Sequence, residues 1–330
     1  MVYDFISIGG ATRDISFFTD QGILIENPRD ILRQKLLAFE YGAKIRIDNF
    51  NYTYGGGAAN AAVNFANFKF KAACLLAIGD DDNGKAIIKN LQVRGVYKNL
   101  VKKLPGENSG FSFILISKTG ERIIFTERGA NKFLKLDAKD LKLLKNTKNI
   151  YISSLSGDWL SILKKVFPLA KKYGIKIAWN PSEAQYSAGL DKLAPFLKNT
   201  FVFLVNKDEA IELALASSGS GGQKLGHAFF NDENNLLKII KEFGPQIVVI
   251  TSGSQGAYAY DGLNFYYQPI FKEKKRVDIT GVGDIFNSTF VAGLEIYKGN
   301  IKKSLFLSAR NTASKIAHLG AQNGLIRIKL

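Results

Sequence analysis

The run Asp278-Ile279-Thr280-Gly281-Val282-Gly283-Asp284 sets two carboxylates and two glycines directly before a helical pattern, with apolar Phe286, Phe290, Leu294 and Tyr297 at helical spacing. Gly281, Val282 and Gly283 therefore bring free backbone N–H groups to a helix N-terminus. That is an anion-binding geometry, reinforced by the helix dipole. Asp284 falls in the first turn, beside such an anion. It has two readings, a helix cap or a base for a hydroxyl attacking a phosphoryl group. Spacing alone leaves both open.

Two further glycine-rich segments compete as phosphate sites. Gly79–Lys85, GDDDNGK, follows an apolar strand and has nearly the spacing of a P-loop. Ala86 stands where a Mg²⁺-binding hydroxyl is needed, and Asp80, Asp81 and Asp82 would repel phosphates, so it reads as a strand-to-helix turn. Gly55–Asn60, GGGAAN, precedes an Ala-rich helix start. No buried strand leads into it, which argues against a dinucleotide fingerprint. Its glycines suit either a tight turn or a close approach of backbone to a polar ligand.

The elements that position these loops alternate. Apolar runs at Phe5–Gly9, Ala73–Ile78, Asn149–Ser153, Ile175–Trp179, Phe201–Val205 and Gln246–Thr251 suit parallel strands buried on both faces. Helical patterns lie between them, at Ala59–Asn67, Leu160–Tyr173 and Leu236–Phe243, the last stopped by Gly244-Pro245. This predicts an α/β fold with a central, mostly parallel sheet. Phe111–Ser117 and Glu121–Glu127 break the alternation as a hairpin around Lys118-Thr119-Gly120, and about 15–25 and 43–53 can add strands. A small antiparallel lid sheet is expected there. A second hairpin turns at Asp261-Gly262, and Ser217–Gly222 reads as a flexible loop.

The 330 residues carry a net charge of +16 with lysines spread along the chain, the pattern of a solvated surface rather than of a nucleic-acid stripe. No apolar run approaches membrane-spanning length. MVYDFISIGG reads as a first strand rather than a leader. The lone Cys74 excludes an intrachain disulfide and fits a cytoplasmic protein, and two histidines without cysteine partners argue against structural zinc. No G-x-S-x-G elbow supports a serine hydrolase.

Over about residues 3 to 322 the chain resembles the ribokinase-like (PfkB) carbohydrate kinases, a family that also contains nucleoside kinases. Asp278–Asn287 is similar to the family's D-T-x-G-A-G-D-x-F-N, and Gly55–Asn60 to its G-G-x-[GA]-x-N. Ile8-Gly9-Gly10 with Asp14, Gly79-Asp80-Asp81 with Gly84, Gly129-Ala130-Asn131, Asn206 with Glu209, Thr251-Ser252-Gly253 with Gly256, and Gly320-Ala321 agree with further family features in order.

The resemblance implies one ribokinase-like domain over 1–330, with lid segments at about 12–53 and 105–128. It implies transfer of the γ-phosphoryl group of Mg-ATP to a sugar hydroxyl, a nucleoside being the alternative acceptor. Asp284 would be the base, and Gly281, Val282 and Gly283 would stabilise the transferred phosphate. Asn206, Glu209, Thr251, Gly253, Gly256 and Asn311 would hold the nucleotide, with Glu209 organising Mg²⁺ through water. Asp14, Gly55, Gly56 and Asn60 would bind the acceptor. Asp278 and Thr280, with Gly320, resemble the monovalent-cation (K⁺) site of some members. Any homodimer would use the lid; neither nucleic acid nor membrane is an expected partner.

Departures bear on the substrate. Gly57 stands where ribokinases carry Lys and Thr12 where they carry Asn, and only Ser153, Ser154 and Ser156 follow the lid where they carry Glu. These argue against ribose itself. Val282 replaces the usual Ala, and Gln322-Asn323-Gly324 replaces the common Ser/Pro pattern after Gly320-Ala321. Phe17, Phe18, Phe111 and Phe113 are candidates for a nucleobase slot or for the core of the lid sheet.

Overall fold

The computed structural model describes residues 2–27, 35–47, 49–116, 122–153, 155–216, 227–273 and 275–328. The expected hairpin turn at Lys118–Gly120, the Ser217–Gly222 loop, and the positions Glu121, Ser154 and Lys274 lie outside them.

The strands in chain order are β1 (Tyr3–Gly9), β2 (Thr12–Phe18), β3 (Ile23–Glu26), β4 (Lys35–Ala38), β5 (Phe50–Gly55), β6 (Ala72–Gly79), β7 (Val101–Leu104), β8 (Phe111–Ile116), β9 (Arg122–Glu127), β10 (Thr147–Ser153), β11 (Lys176–Asn180), β12 (Val202–Asn206), β13 (Ile247–Thr251), β14 (Ala257–Tyr260) and β15 (Phe265–Gln268). Nine form the central sheet in the order β15-β14-β13-β12-β11-β10-β1-β6-β7. From β13 to β7 every pairing is parallel, and the hairpin β14–β15 adds an antiparallel edge. The continuous apolar runs are explained by this placement: every residue of β6 is buried, because helices cover both faces.

On one face Trp159–Tyr173 and Leu190–Leu197 set Phe167 and Phe196 against Trp179, and Glu233–Glu242 adds Leu236, Leu237 and Ile240 to the same core. On the other face lie Gly57–Asn67, Val282–Ile296 and Ile301–Ile316, the helices that follow the two glycine loops and the one that closes the fold. A buried polar knot locks these three together. Asn64 donates to the hydroxyls of Ser288 and Thr289, both at 2.9 Å, and Asn311 donates to Thr289 at 2.8 Å and to Asn64 at 3.1 Å. Such a knot is stabilising only when every member is paired, and it fixes the relative depth of the helices.

A second sheet, β5-β2-β8-β9, stands apart from the first as the expected lid. β2 pairs antiparallel with β5 and β8 with β9, but β2 and β8 run parallel. The antiparallel expectation therefore holds for the pairs at the two outer strands and not for the central one, which joins segments about a hundred residues apart in sequence. β3 and β4 pair as a separate ribbon.

Candidate active site

Both glycine loops and the carboxyl ends of the parallel strands meet at one edge of the central sheet, where open α/β sheets bind ligands. Beneath the lid is a cleft of about 240 Å³ whose lining includes Asp14, Asn60, Ser112, Arg122, Arg128 and Asp284.

Asp284 sits in the first turn of Val282–Ile296, yet that helix has no side-chain cap. Its carboxylate instead accepts a 2.8 Å hydrogen bond from Asn60 Nδ2. The capping role left open by spacing is therefore not what this side chain does. Burial raises its pKa, while the Asn60 bond and the Arg122 charge oppose that rise. Asn60 is held in turn: its Oδ1 accepts from Gln322 Nε2 at 3.0 Å, and Gln322 Oε1 accepts from Asn90 at 2.7 Å. The chain of amides leaves Asn60 one orientation, with its N–H₂ toward the carboxylate.

Gly281 forms the N-cap in a left-handed conformation, φ 70°, that favours glycine. Val282 N–H is engaged by Ile279 O at 3.3 Å, so it is a poorer anion donor than expected. Gly283 is exposed, and a Cβ there would meet nothing within 4 Å, leaving space for an anion against the helix end.

On the lid side, Asp14 is buried on β2 and accepts from Thr12 Oγ1 at 2.8 Å. Burial pushes its pKa up to about 6 against the pull of the Thr12 and Ser112 hydroxyls. Gly55 lies directly against this carboxylate, and any side chain there would strike it. Alternate residues of β9, Arg122, Ile124 and Thr126, face the cleft together with Ser112 and Ile114 of β8. Phe111 and Phe113 fall on the other face, edge to face with each other, and Phe113 is 41% exposed. They are neither a nucleobase slot nor a covered core.

At the carboxyl ends of two other parallel strands, Asn206 ends β12 beside Thr251, its register partner at the end of β13. Asn206 Oδ1 accepts from Glu209 N–H, and Glu209 Oε2 from Asn206 N–H, both at 2.8 Å. This reciprocal cap fixes Glu209. Burial pushes the Glu209 pKa up to about 7, the Asn206 N–H opposing and the Asp284 charge adding to the rise. Gly253 and Gly256, at φ 53° and 95°, form the turn after β13, open at Gly253. The Asp284 charge felt at Glu209 marks a site of negative potential, which suits a cation that keeps its water shell, as Mg²⁺ does, the cation favouring the ionised carboxylate.

Two expectations are corrected. Asn311 is fully buried, and all its hydrogen-bonding groups are used, Oδ1 by Ile326 N–H at 2.8 Å and Nδ2 by Asn64 and Thr289. It braces helices and faces no ligand. Around Asp278 the carboxylate accepts from Thr280 N–H at 2.8 Å and Gly320 N–H at 2.7 Å, but the cation beside it is the ammonium of Lys315. Lys315 Nζ donates to Asp278 O at 2.7 Å and lies 3.7 Å from Oδ2, with no exposed surface.

Sequence reasoning did not find Lys315, Arg122 or Arg128. Lys315 falls in the last turn of Ile301–Ile316, where a lysine is ordinarily solvated and complements the helix dipole. The period-2 pattern of β9 carries a signal for Arg122 but does not say which face looks inward, and Arg128 lies just past the strand's end.

The sequence profile of the pfkB family of carbohydrate kinases matches residues 26–327. Ribokinase of Schizosaccharomyces pombe is 27% identical over 286 residues, covering 84% of this chain and 85% of that one. The bifunctional ribokinase/ribose-5-phosphate isomerase A of Fructilactobacillus sanfranciscensis is 25% identical over 291 residues, and the match spans half of its length. The solved structure of Arabidopsis thaliana ribokinase with ribose and ATP superposes with a TM-score of 0.78 at 20% identity, covering 99% of this chain and 96% of that one.

Proposed function

The chain belongs to the pfkB family of carbohydrate kinases, and from that membership we propose that it transfers the γ-phosphoryl group of ATP to a hydroxyl of a sugar, with Asp284 as the base. The observation that carries the reading is the Asp284 carboxylate. It lies in the cleft, is free of a capping role, and is aimed by Asn60 beside an uncapped helix N-terminus.

In this mechanism Asp14, with Gly55 and Gly56 behind it, binds acceptor hydroxyls and sets one of them against Asp284. Asp284 takes the proton as the oxygen attacks. The N–H groups of Gly281 and Gly283 and the helix dipole stabilise charge on the moving phosphoryl group. Asn206, Thr251, Gly253 and Gly256 line the nucleotide side. Glu209 would hold Mg²⁺ through water, and the ion would neutralise phosphate charge. Residues 1–330 act as one kinase domain, the lid segments 12–53 and 105–128 excluding water from the cleft. The cytoplasm is the proposed setting, and the lid the surface through which a homodimer would form. No K⁺ is included, because Lys315 stands beside Asp278.

A nucleoside is the second acceptor class, favoured by the apolar pair Ile114 and Ile124 in the cleft. A panel of sugars and nucleosides with Mg-ATP, scored for ADP release and phosphorylated product, tests both. Turnover of nucleosides without sugars selects the second reading, and no turnover on either class removes both.

A further inference from the structure

Lys315 is among the largest fully buried side chains of the protein. A buried ammonium is costly unless paired and hydrogen-bonded, so its partners indicate what it is for. They belong to one residue, Asp278, through the main-chain oxygen and the carboxylate. That carboxylate joins two turns, accepting from Thr280 N–H on the loop that leads to Gly281 and from Gly320 N–H on the C-terminal turn. The backbone closes the same unit, since Val277 and Asp278 N–H both donate to Ile316 O, at 2.9 and 3.1 Å.

The two turns are also in contact. A side chain at Gly281 would strike Ala321, so the helix N-cap rests on the C-terminal turn. One residue further, Gln322 fixes Asn60 and so the Asp284 carboxylate. A single buried ion pair thus sits under both the anion loop and the amide chain that aims the base.

We propose that Lys315 is a positioning residue for phosphoryl transfer, a tethered ammonium that holds the anion loop and the C-terminal turn together and makes the reaction independent of any added monovalent cation. The proposal rests on the kinase reading above. Without the positive charge, the Asp278 carboxylate is buried unpaired, and the turns bonded to it loosen. In the proposed mechanism the residues that bind ATP and acceptor in the ground state lie elsewhere, so the loss falls on kcat rather than KM.

The test compares the intact enzyme with Lys315→Met and Lys315→Ala. The intact enzyme should turn over at equal rates, within about twofold, in sodium, potassium and choline chloride. Lys315→Met should lose at least tenfold in kcat with KM for ATP within about threefold. In Lys315→Ala, which leaves room beside Asp278, potassium or ammonium should restore part of kcat, and choline should not. Severalfold activation of the intact enzyme by potassium overturns the proposal whether or not the variants fold. So does an unchanged kcat in a folded Lys315→Met, or a loss in Lys315→Ala that no cation restores. Hydrogen exchange at the Thr280 and Gly320 amides, bonded to Asp278, supplies a readout that needs no acceptor. Protection should fall at least tenfold in Lys315→Met. Unchanged protection ends the proposal, whereas lost protection without turnover of any acceptor by the intact enzyme removes the kinase reading alone.

Discussion

The amide nitrogen of Asn60 and the carboxylate of Asp284, 2.8 Å apart, come from the first turns of two helices that begin after separate glycine loops 224 residues apart. The bond assigns Asp284 its freedom for chemistry, because the carboxylate that could have capped its own helix is turned toward the cleft.

Asp284→Asn is expected to fold, since the helix takes no cap from this side chain. Turnover should fall by the ~10²–10⁴-fold of lost general-base catalysis, while ATP affinity holds or rises with the loss of a nearby negative charge. Turnover within about threefold of the parent on the true acceptor would remove Asp284 as the base.

Gln322→Leu tests the amide chain. It leaves the Asn60 carbonyl and the Asn90 amide without their partner, at a cost of about 1–3 kcal/mol. Asn60 can then turn its oxygen toward Asp284, removing the hydrogen bond that opposes the raised pKa. The base must be ionised to act, so the acid limb of the pH–rate profile should move to higher pH. An unshifted limb would show that Asn60 does not depend on Gln322.

Gly283→Ala separates stability from turnover. A methyl group there meets no protein atom, and Ala in a helical turn is favoured over Gly by about 0.5–1 kcal/mol. The melting temperature should rise while kcat falls, because the methyl group enters the space facing the transferred phosphate. A stabilised variant with full activity would place the anion elsewhere.

Asp14→Asn tests burial of the acceptor-side carboxylate. The folded pKa of about 6 lies above the ordinary 3.8, so protonated Asp14 favours the fold below about pH 4, and that advantage is lost as pH rises through 6. Ionised Asp14 therefore strains the native state at pH 8, by on the order of 2–3 kcal/mol. Denaturant titrations should find Asp14→Asn more stable than the parent at pH 8 and equal near pH 4, with acceptor KM raised. Equal stability at both pH values would mean that Asp14 ionises without penalty.

The outer face of the lid carries Tyr52, Ile15, Phe113 and Phe125 in one cross-strand row, with Tyr52, Phe113 and Phe125 exposed at 55%, 41% and 61%. An exposed apolar row of this kind is normally covered. Sedimentation should show a dimer that Phe113→Asp dissociates; an unchanged dimer takes the lid out of the interface.

What the sequence determined by itself is what short-range pattern encodes. Continuous apolar runs specified buried parallel strands such as β6, and the helical stripe after Asp284 specified a helix N-terminus at the glycine loop. Family likeness ordered Asp14, Asn60, Asn206 and Glu209 around one edge of the sheet. Tertiary structure alone decided which polar groups meet. Asn311 and Lys315 lie four residues apart on one helix, both fully buried. One closes a structural knot, and the other neutralises Asp278. A buried polar side chain must find its partner wherever packing brings one within hydrogen-bond reach, and no local periodicity records a contact made across 37 residues to Asp278 or 247 to Asn64.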